Sequence, residues 1–257
     1  MEIINKLKVS IVKSAYASKE GHIPSALSIL DIVFVLYDKV LNIDKNNCNN
    51  ETRDRFILSK GHASLALYAV LAYKGFIMES ELDDFGNFNS RLGGHPDKNK
   101  IPGVEASTGS LGHGFPFAVG IAFAQKILKS SVHTYVIIGD GESNEGTIWE
   151  SALLASNHNL DNLTCILDYN HSNDRALKLG NLVLKFESFG WHVLEINGHN
   201  HHEILKALNF RNEKPIMIIA NTIKGNGIPA MENNPAWHHK SPSEIEFNDF
   251  SKILEIK

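Results

Sequence analysis

The feature that most narrows what this chain can fold into is a series of short apolar, β-branched runs, each ending in a polar or glycine-rich corner. They are Thr134 to Ile138, Leu163 to Leu167, His192 to Ile196 and Ile216 to Ala220. Helical patterns alternate with them at Phe117 to Leu128, Trp149 to Asn157 and His202 to Leu208. Strands that read as nearly continuous apolar runs between helices belong to a parallel sheet buried on both faces. The expected fold class is therefore α/β, a doubly wound, mostly parallel sheet with helices on both faces. Such sheets bind ligands at the carboxyl ends of their strands. The corners found there are Gly139-Asp140-Gly141, Asp168-Tyr169-Asn170 and Thr222-Ile223-Lys224-Gly225.

The first half fits around that sheet. Ile4, Leu7, Ile11, Val12 and Ala15 recur at helical spacing, and Gly21 stops the run. A second helix is expected from about Ser28, apolar nearly all round and so buried. Phe56-Ile57-Leu58 precedes Ser59-Lys60-Gly61-His62 and a helix from Ala63 to Tyr73. Residues 86 to 114, rich in Gly, Asn, Pro and His, read as a long ordered loop, which is uncommon without a task. Ser241-Pro242-Ser243-Glu244 looks like a serine cap with proline in the first turn of a last helix. Nothing repeats and no linker divides the chain, so residues 1–257 are expected to form one domain.

Composition excludes several classes. At 43% apolar and 21% charged the chain can bury a full core, which rules out disorder and disulfide mini-scaffolds. The run Ile29 to Leu36 is interrupted by Asp31 and too short for a bilayer. The start MEIINKLKVS lacks an export pattern, and a net charge of -4 gives no reason to bind nucleic acid or membrane. Cys48 and Cys165 show no metal or disulfide spacing, which suits a reducing, cytoplasmic setting.

Chemistry concentrates in three places. Asp140 and Asn170 end successive strands one βαβ step apart, and right-handed crossover sets such residues side by side. Their oxygens suit magnesium, while the glycines admit a phosphate to the backbone and to the next helix's N-terminus. An ordinary Asx turn is the bland alternative. There is no Walker sequence, the third glycine of the dinucleotide fingerprint is missing, and Lys206 spoils a zinc-protease reading of His202-Glu203. Second, of 13 histidines, His22, His62, His95 and His238 stand beside glycine, proline or tryptophan and could share a proton-handling pocket. His133, His158, His171, His192, His199, His201 and His202 read as structure or surface. Third, Thr108 to Gly114 is a backbone-exposing loop that leads into a helix.

Together these stretches resemble the thiamine-diphosphate enzymes, and within them the N-terminal part of transketolase. Gly139-Asp140-Gly141 running to Asn170 is similar to the thiamine signature. Gly21-His22-Ile23, Asp54 to Ala63, Gly93-Gly94-His95-Pro96, Gly109-Ser110-Leu111-Gly112, Thr222 to Gly227 and Asn233 to His238 resemble transketolase stretches in the same order. The resemblance implies Asp140, Asn170 and the Ser172 carbonyl as ligands of Mg2+ or another divalent cation. It implies His62, Gly139, Gly141 and Glu142 around the diphosphate with His238 nearby, and Gly109, Ser110 and Leu111 lining the cofactor pocket. His22, His95 and His238 would face the sugar, and Glu145 would couple two cofactor sites across a dimer. Three departures stand out: Pro24-Ser25 where glycines are usual, His171-Ser172-Asn173 after Asn170, and His239 for a usual glycine.

The family's pyrimidine-binding domain has no counterpart in these residues. The resemblance therefore implies the N-terminal subunit of a split transketolase, active only with a C-terminal partner subunit in a dimer of heterodimers. It would transfer a two-carbon ketol unit from a ketose to an aldose, with sugars or sugar phosphates as substrates. The competing readings are the α subunit of a thiamine-dependent 2-oxo acid dehydrogenase and a non-catalytic subunit that keeps the fold.

Overall fold

A computed structural model describes residues 2–255; of the expected domain, Met1, Ile256 and Lys257 lie outside the described residues. Five strands, β1 (Arg55–Leu58), β2 (Thr134–Gly139), β3 (Leu163–Tyr169), β4 (His192–Asn197) and β5 (Ile216–Asn221), form one sheet in the order β1-β2-β3-β5-β4. Every pairing is parallel. The short run Phe56 to Leu58 is thus an edge strand, paired with residues 135 to 137 of β2.

Side chains alternate between the two faces, as the period of two requires. Phe56, Leu58, Tyr135, Ile137, Ile166, Ile216 and Ile218 point to the face covered by α1 (Glu2–Ser18), α2 (Ile23–Val35) and α3 (Ser64–Tyr73). Ile57, Val136, Ile138, Cys165, Leu167, Met217 and Ile219 point to the other, covered by α4 (Gly114–Ile127), α5 (Gly146–Asn157) and α6 (Leu182–Ser188). The connections that advance across the sheet use α4, α5 and α6 on one face. The step back from β4 to β5 uses α7 (His201–Leu208) on the opposite face with α2. One crossover handedness produces this arrangement.

Several helix starts differ from expectation. α2 begins at Ile23 rather than near Ser28, with Pro24 in its first turn, where a missing N–H costs nothing, and His22 at its N-cap. α4 and α5 begin at Gly114 and Gly146, each three residues before the expected apolar start. The last helix, α8 (Glu244–Glu255), is capped by Ser243: Glu246 N–H donates to Ser243 Oγ (3.3 Å), and Ser243 N–H donates to Glu246 Oε2 (2.8 Å). Ser241, the expected cap, instead donates its hydroxyl to the Ala15 carbonyl (2.8 Å) and ties the tail to α1.

Residues 86–113 contain no helix or strand, as expected, yet they are pinned. Ser64 Oγ donates to the Gly94 carbonyl (2.9 Å), Tyr68 Oη to that of Gly93 (3.0 Å) and Thr108 Oγ1 to that of Leu58 (2.6 Å).

Candidate active site

The carboxyl ends of β1, β2, β3 and β5 converge on one edge. β2 and β3 are neighbours, with Gly139 opposite Asp168, so Asp140 and Asn170 follow at adjacent strand ends. Asp140 is 4% exposed and accepts the N–H of Gly141 (2.7 Å), the Ser172 hydroxyl (3.1 Å) and the N–H of Asn173 (3.1 Å). Ser172 N–H donates to Asn170 Oδ1 (3.1 Å). His171 makes this possible: its φ of +60° reverses the chain directly after Asn170 and returns residues 172 and 173 to Asp140. That backbone region is unfavourable for a side chain with a Cβ and persists only where its surroundings hold it.

Beneath these two lies Asp168, fully buried. Its carboxylate accepts from Lys60 Nζ, the Thr222 hydroxyl, the Ser28 hydroxyl (2.7 Å) and Asn170 Nδ2 (2.9 Å). Burial pushes its pKa up, but the Lys60 charge and the donated hydrogen bonds outweigh this and hold it below the usual carboxylate range. The Asn170 bond orients that amide, so that Oδ1 rather than Nδ2 turns toward the Ser172 side.

Four imidazoles gather beside the edge. The His22 ring lies 5.1 Å from His62, 5.5 Å from His238 and 4.5 Å from His239, centre to centre. His95 comes against the 108–112 loop, where a Cβ on Gly109 would sit 3.1 Å from its ring. Lys224 Nζ is 3.2 Å from His238 Nδ1. Burial, then the neighbouring imidazoles and Lys224, lower the pKa of His22 to about 4. Burial, then Lys60, lower that of His62 to about 2. Burial and Lys224 also lower His238, and burial with Lys60 lowers Lys224. Burial is the main cause in each case, with the neighbouring lysines and imidazoles adding to it, so a bound anion would relieve part of the repulsion among these groups.

The loop expected near a cofactor is brought in by close approach. A Cβ on Gly61 would collide with Thr108 at 2.8 Å, so only glycine lets this loop reach the His62 turn. Gly109 and Leu111 are half-buried and Ser110 is exposed. Glu142 is placed differently from expectation. It is buried, and its carboxylate accepts from the Ser59 hydroxyl, Gly112 N–H (2.8 Å) and Gly139 N–H (3.2 Å), so it braces the loop against β2. Burial raises its pKa despite these bonds. Glu145 stands exposed just before α5, beside Gly112.

A cavity of about 260 Å³ opens between Asn170, His171, Ser172, Lys224, Asn234 and His238. A larger open hollow of about 760 Å³, between α1 and residues 79–83, contains none of these groups. Among the described residues no three His, Cys, Asp or Glu side chains are placed to hold a metal ion. The oxygens of Asp140 and Asn170 are hard donors at one edge, which fits a magnesium ion that keeps phosphate oxygens as further ligands. Gly141 leaves that edge open, since a Cβ there would meet nothing nearer than 3.9 Å.

Sequence reasoning did not single out Lys60, Asp168 or Lys224, though all three lie in segments that end strands. The available signal was a lysine and a carboxylate at the ends of strands two apart; Lys60 reaches Asp168 over Gly139. His199 and Asp31, read as structural and as an interruption of an apolar run, proved to be bonded to each other (2.9 Å).

The sheet, the paired oxygens and the lysine and histidine cluster define an α/β protein with a polar pocket at the carboxyl edge of its strands. Residues 1–254 match the family model described as transketolase, thiamine diphosphate binding domain. The chain is 37% identical to one of the subunits named for the apulose-4-phosphate transketolase of Phocaeicola vulgatus, over 95% of this chain and 89% of that protein. It is 42% identical to the protein of the same name from Actinobacillus succinogenes, over 92% and 88%. Its fold superimposes on the crystal structure of Campylobacter jejuni transketolase with a TM-score of 0.91 at 31% identity, covering 99% of this chain and 42% of that one. The chain belongs to the transketolase family, and spans less than half the length of that solved relative.

Proposed function

We propose that residues 1–257 form one domain acting as the N-terminal subunit of a split transketolase, which moves a two-carbon ketol unit from a ketose to an aldose. The observation that carries the reading is the convergence of Asp140 and Asn170 with a lysine and histidine cluster at the carboxyl edge. When bound, thiamine diphosphate would supply a nucleophilic ring carbon for ketol transfer. Asp140, Asn170 and the Ser172 carbonyl would hold Mg2+ or another divalent cation. Gly139, Gly141 and His62, with Lys60 and Lys224 alongside, would receive the diphosphate, and Gly109, Ser110 and Leu111 would flank the rings. Glu142 serves this site by bracing rather than by touching the cofactor.

His22, His95 and His238 would handle the sugar's hydroxyl protons. Both shifts are downward from the free imidazole, so His22 and His238 are neutral at pH 7, each with one ring nitrogen to donate and one to accept a hydrogen bond from the sugar's hydroxyls. Glu145, exposed at the start of α5, would meet a second copy of the chain. Both apulose-4-phosphate relatives are named as subunits of a transketolase, which favours a separate partner carrying the pyrimidine-binding domain in a dimer of heterodimers. Sugar phosphates are the preferred substrate class, because apulose 4-phosphate stands in those names. A cytoplasmic setting agrees with the free thiols of Cys48 and Cys165. Among the described residues no helix is long and apolar enough to cross a membrane. The family match favours neither the 2-oxo acid dehydrogenase reading nor the non-catalytic one.

Calorimetry with thiamine diphosphate and magnesium on the chain paired with its partner tests the assignment. Asp140→Ala should abolish measurable binding, since the diphosphate loses its bridging cation. Wild-type affinity and magnesium dependence in that variant would refute the site.

A further inference from the structure

α2 is buried on nearly every side, and its single carboxylate is Asp31, 5% exposed. Two imidazoles close on it, His199 from the turn between β4 and α7 and His201 from the start of α7. His199 Nδ1 lies 2.9 Å from Oδ2, and His201 Nε2 lies 2.8 Å from Oδ1. Only His199 reaches on to the next loop: its Nε2 accepts the backbone N–H of Ile223 at 2.9 Å, and its Nδ1 also lies 2.9 Å from the Asn226 side-chain amide. A ring nitrogen that accepts an N–H carries no proton, so the ring proton sits on Nδ1, directed at Asp31, and the Asn226 amide beside it then presents its oxygen. The carboxylate fixes the tautomer, and the tautomer holds the peptide.

That peptide, between Thr222 and Ile223, lies one residue before Lys224. On the other side of Lys224, Gly225 N–H donates to the Pro24 carbonyl of α2 (3.0 Å), with Gly225 at a φ of +86°. Thr222 is held by Asp168. The lysine therefore projects from between two anchored peptides, and both anchors return to α2, the helix whose N-cap is His22. An ammonium on a flexible four-carbon stem is placed only as well as its backbone is placed. Neither Asp31 nor His199 lines the cavity that Lys224 and His238 border.

We propose that Asp31 and His199 are positioning residues: they seat the 222–227 loop on α2 so that Lys224 enters the site in register with His22 and His238. The consequence for binding rests on Lys224 belonging to the anion-binding edge; the anchoring itself does not.

The test uses the full chain without cofactor. Hydrogen exchange over residues 219–228 is followed by mass spectrometry in the wild type, His199→Ala and Asp31→Asn, with His202→Ala as a control at an exposed position. Exchange at Ile223 should accelerate by about tenfold in both variants, the order expected from one lost hydrogen bond in a charged chain, while α2 keeps its protection. The double variant should exchange no faster than His199→Ala, because the two contacts act in series. A second measurement, calorimetry with magnesium thiamine diphosphate on the chain paired with its partner, should show a matching loss of affinity. Unchanged exchange over 219–228 in a folded His199→Ala variant overturns the proposal, whether or not the melting temperature falls. Should that variant fail to fold, Asp31→Asn, which keeps side-chain volume and one acceptor oxygen, decides by the same reading. Faster exchange with unchanged cofactor affinity sustains the anchoring and counts against Lys224 as an anion-binding group.

Discussion

Asp168 shows what one carboxylate can organise. Its donors come from α2, from the turn after β1, from the corner after β3 and from the loop after β5. Taking the charge away strands Lys60, itself 2% exposed, without a counter-ion. Asp168→Asn should therefore cost roughly 3–5 kcal/mol of stability, the range for breaking one side of a buried pair, as read by denaturant titration. Protons act at this scale too. His22, His62 and His133 have pKa values lowered to about 4, about 2 and about 3, chiefly by burial, below the 6.5 of a free imidazole. A depressed histidine leaves the unfolded chain holding more protons than the folded one. Its contribution is thus complete above pH 6.5 and drains away as pH falls through the folded value. The melting temperature should decline from pH 6.5 to pH 4, and His133→Gln should flatten part of that decline; a profile level to pH 4 would contradict these environments.

Elements differ in how plainly the residues announced them. β2, β3 and β5 are sandwiched between helix layers, so burial on both faces left continuous apolar runs and the strands were legible. β1 has four residues at the sheet edge, and α6 has only seven, too few to show a period. The Asp140 and Asn170 corner was legible because strand ends and crossover spacing constrain it. The Ser28 to Asp168 and Asp31 to His199 contacts were not, since they join residues more than a hundred positions apart and the packing of α2 brings them together. Loop geometry gives a sharper test. Gly112 has a φ of +82°, and a Cβ there would lie 2.6 Å from the Thr147 hydroxyl and 2.7 Å from Glu145. Gly112→Ala should cost about 1–3 kcal/mol through strain and displace the loop from Glu142, lowering both melting temperature and cofactor affinity.

At the scale of the molecule, the outer faces of α4 and α5 are conspicuously apolar. Phe117, Phe123 and Ile127 of α4 are exposed, with Leu128 just past it, and so are Leu153 and Leu154 of α5, the helix that Glu145 precedes. Apolar surface of this kind marks an association site. The chain alone should run as a dimer or larger in light scattering, and Ile127→Lys should shift it toward monomer. On the split-enzyme proposal it should show no ketol transfer until the partner is added. Transfer by a lone monomer would overturn the split-enzyme reading.

The stretch from residue 86 to 113 has a kinetic meaning. It borders the histidine cluster without regular structure, yet hydrogen bonds to Leu58, Ser64 and Tyr68 already hold it. A mouth built this way lost its conformational freedom when the chain folded, so a sugar arriving there does not have to order it again. Encounter at this rim then resembles entry through a fixed doorway.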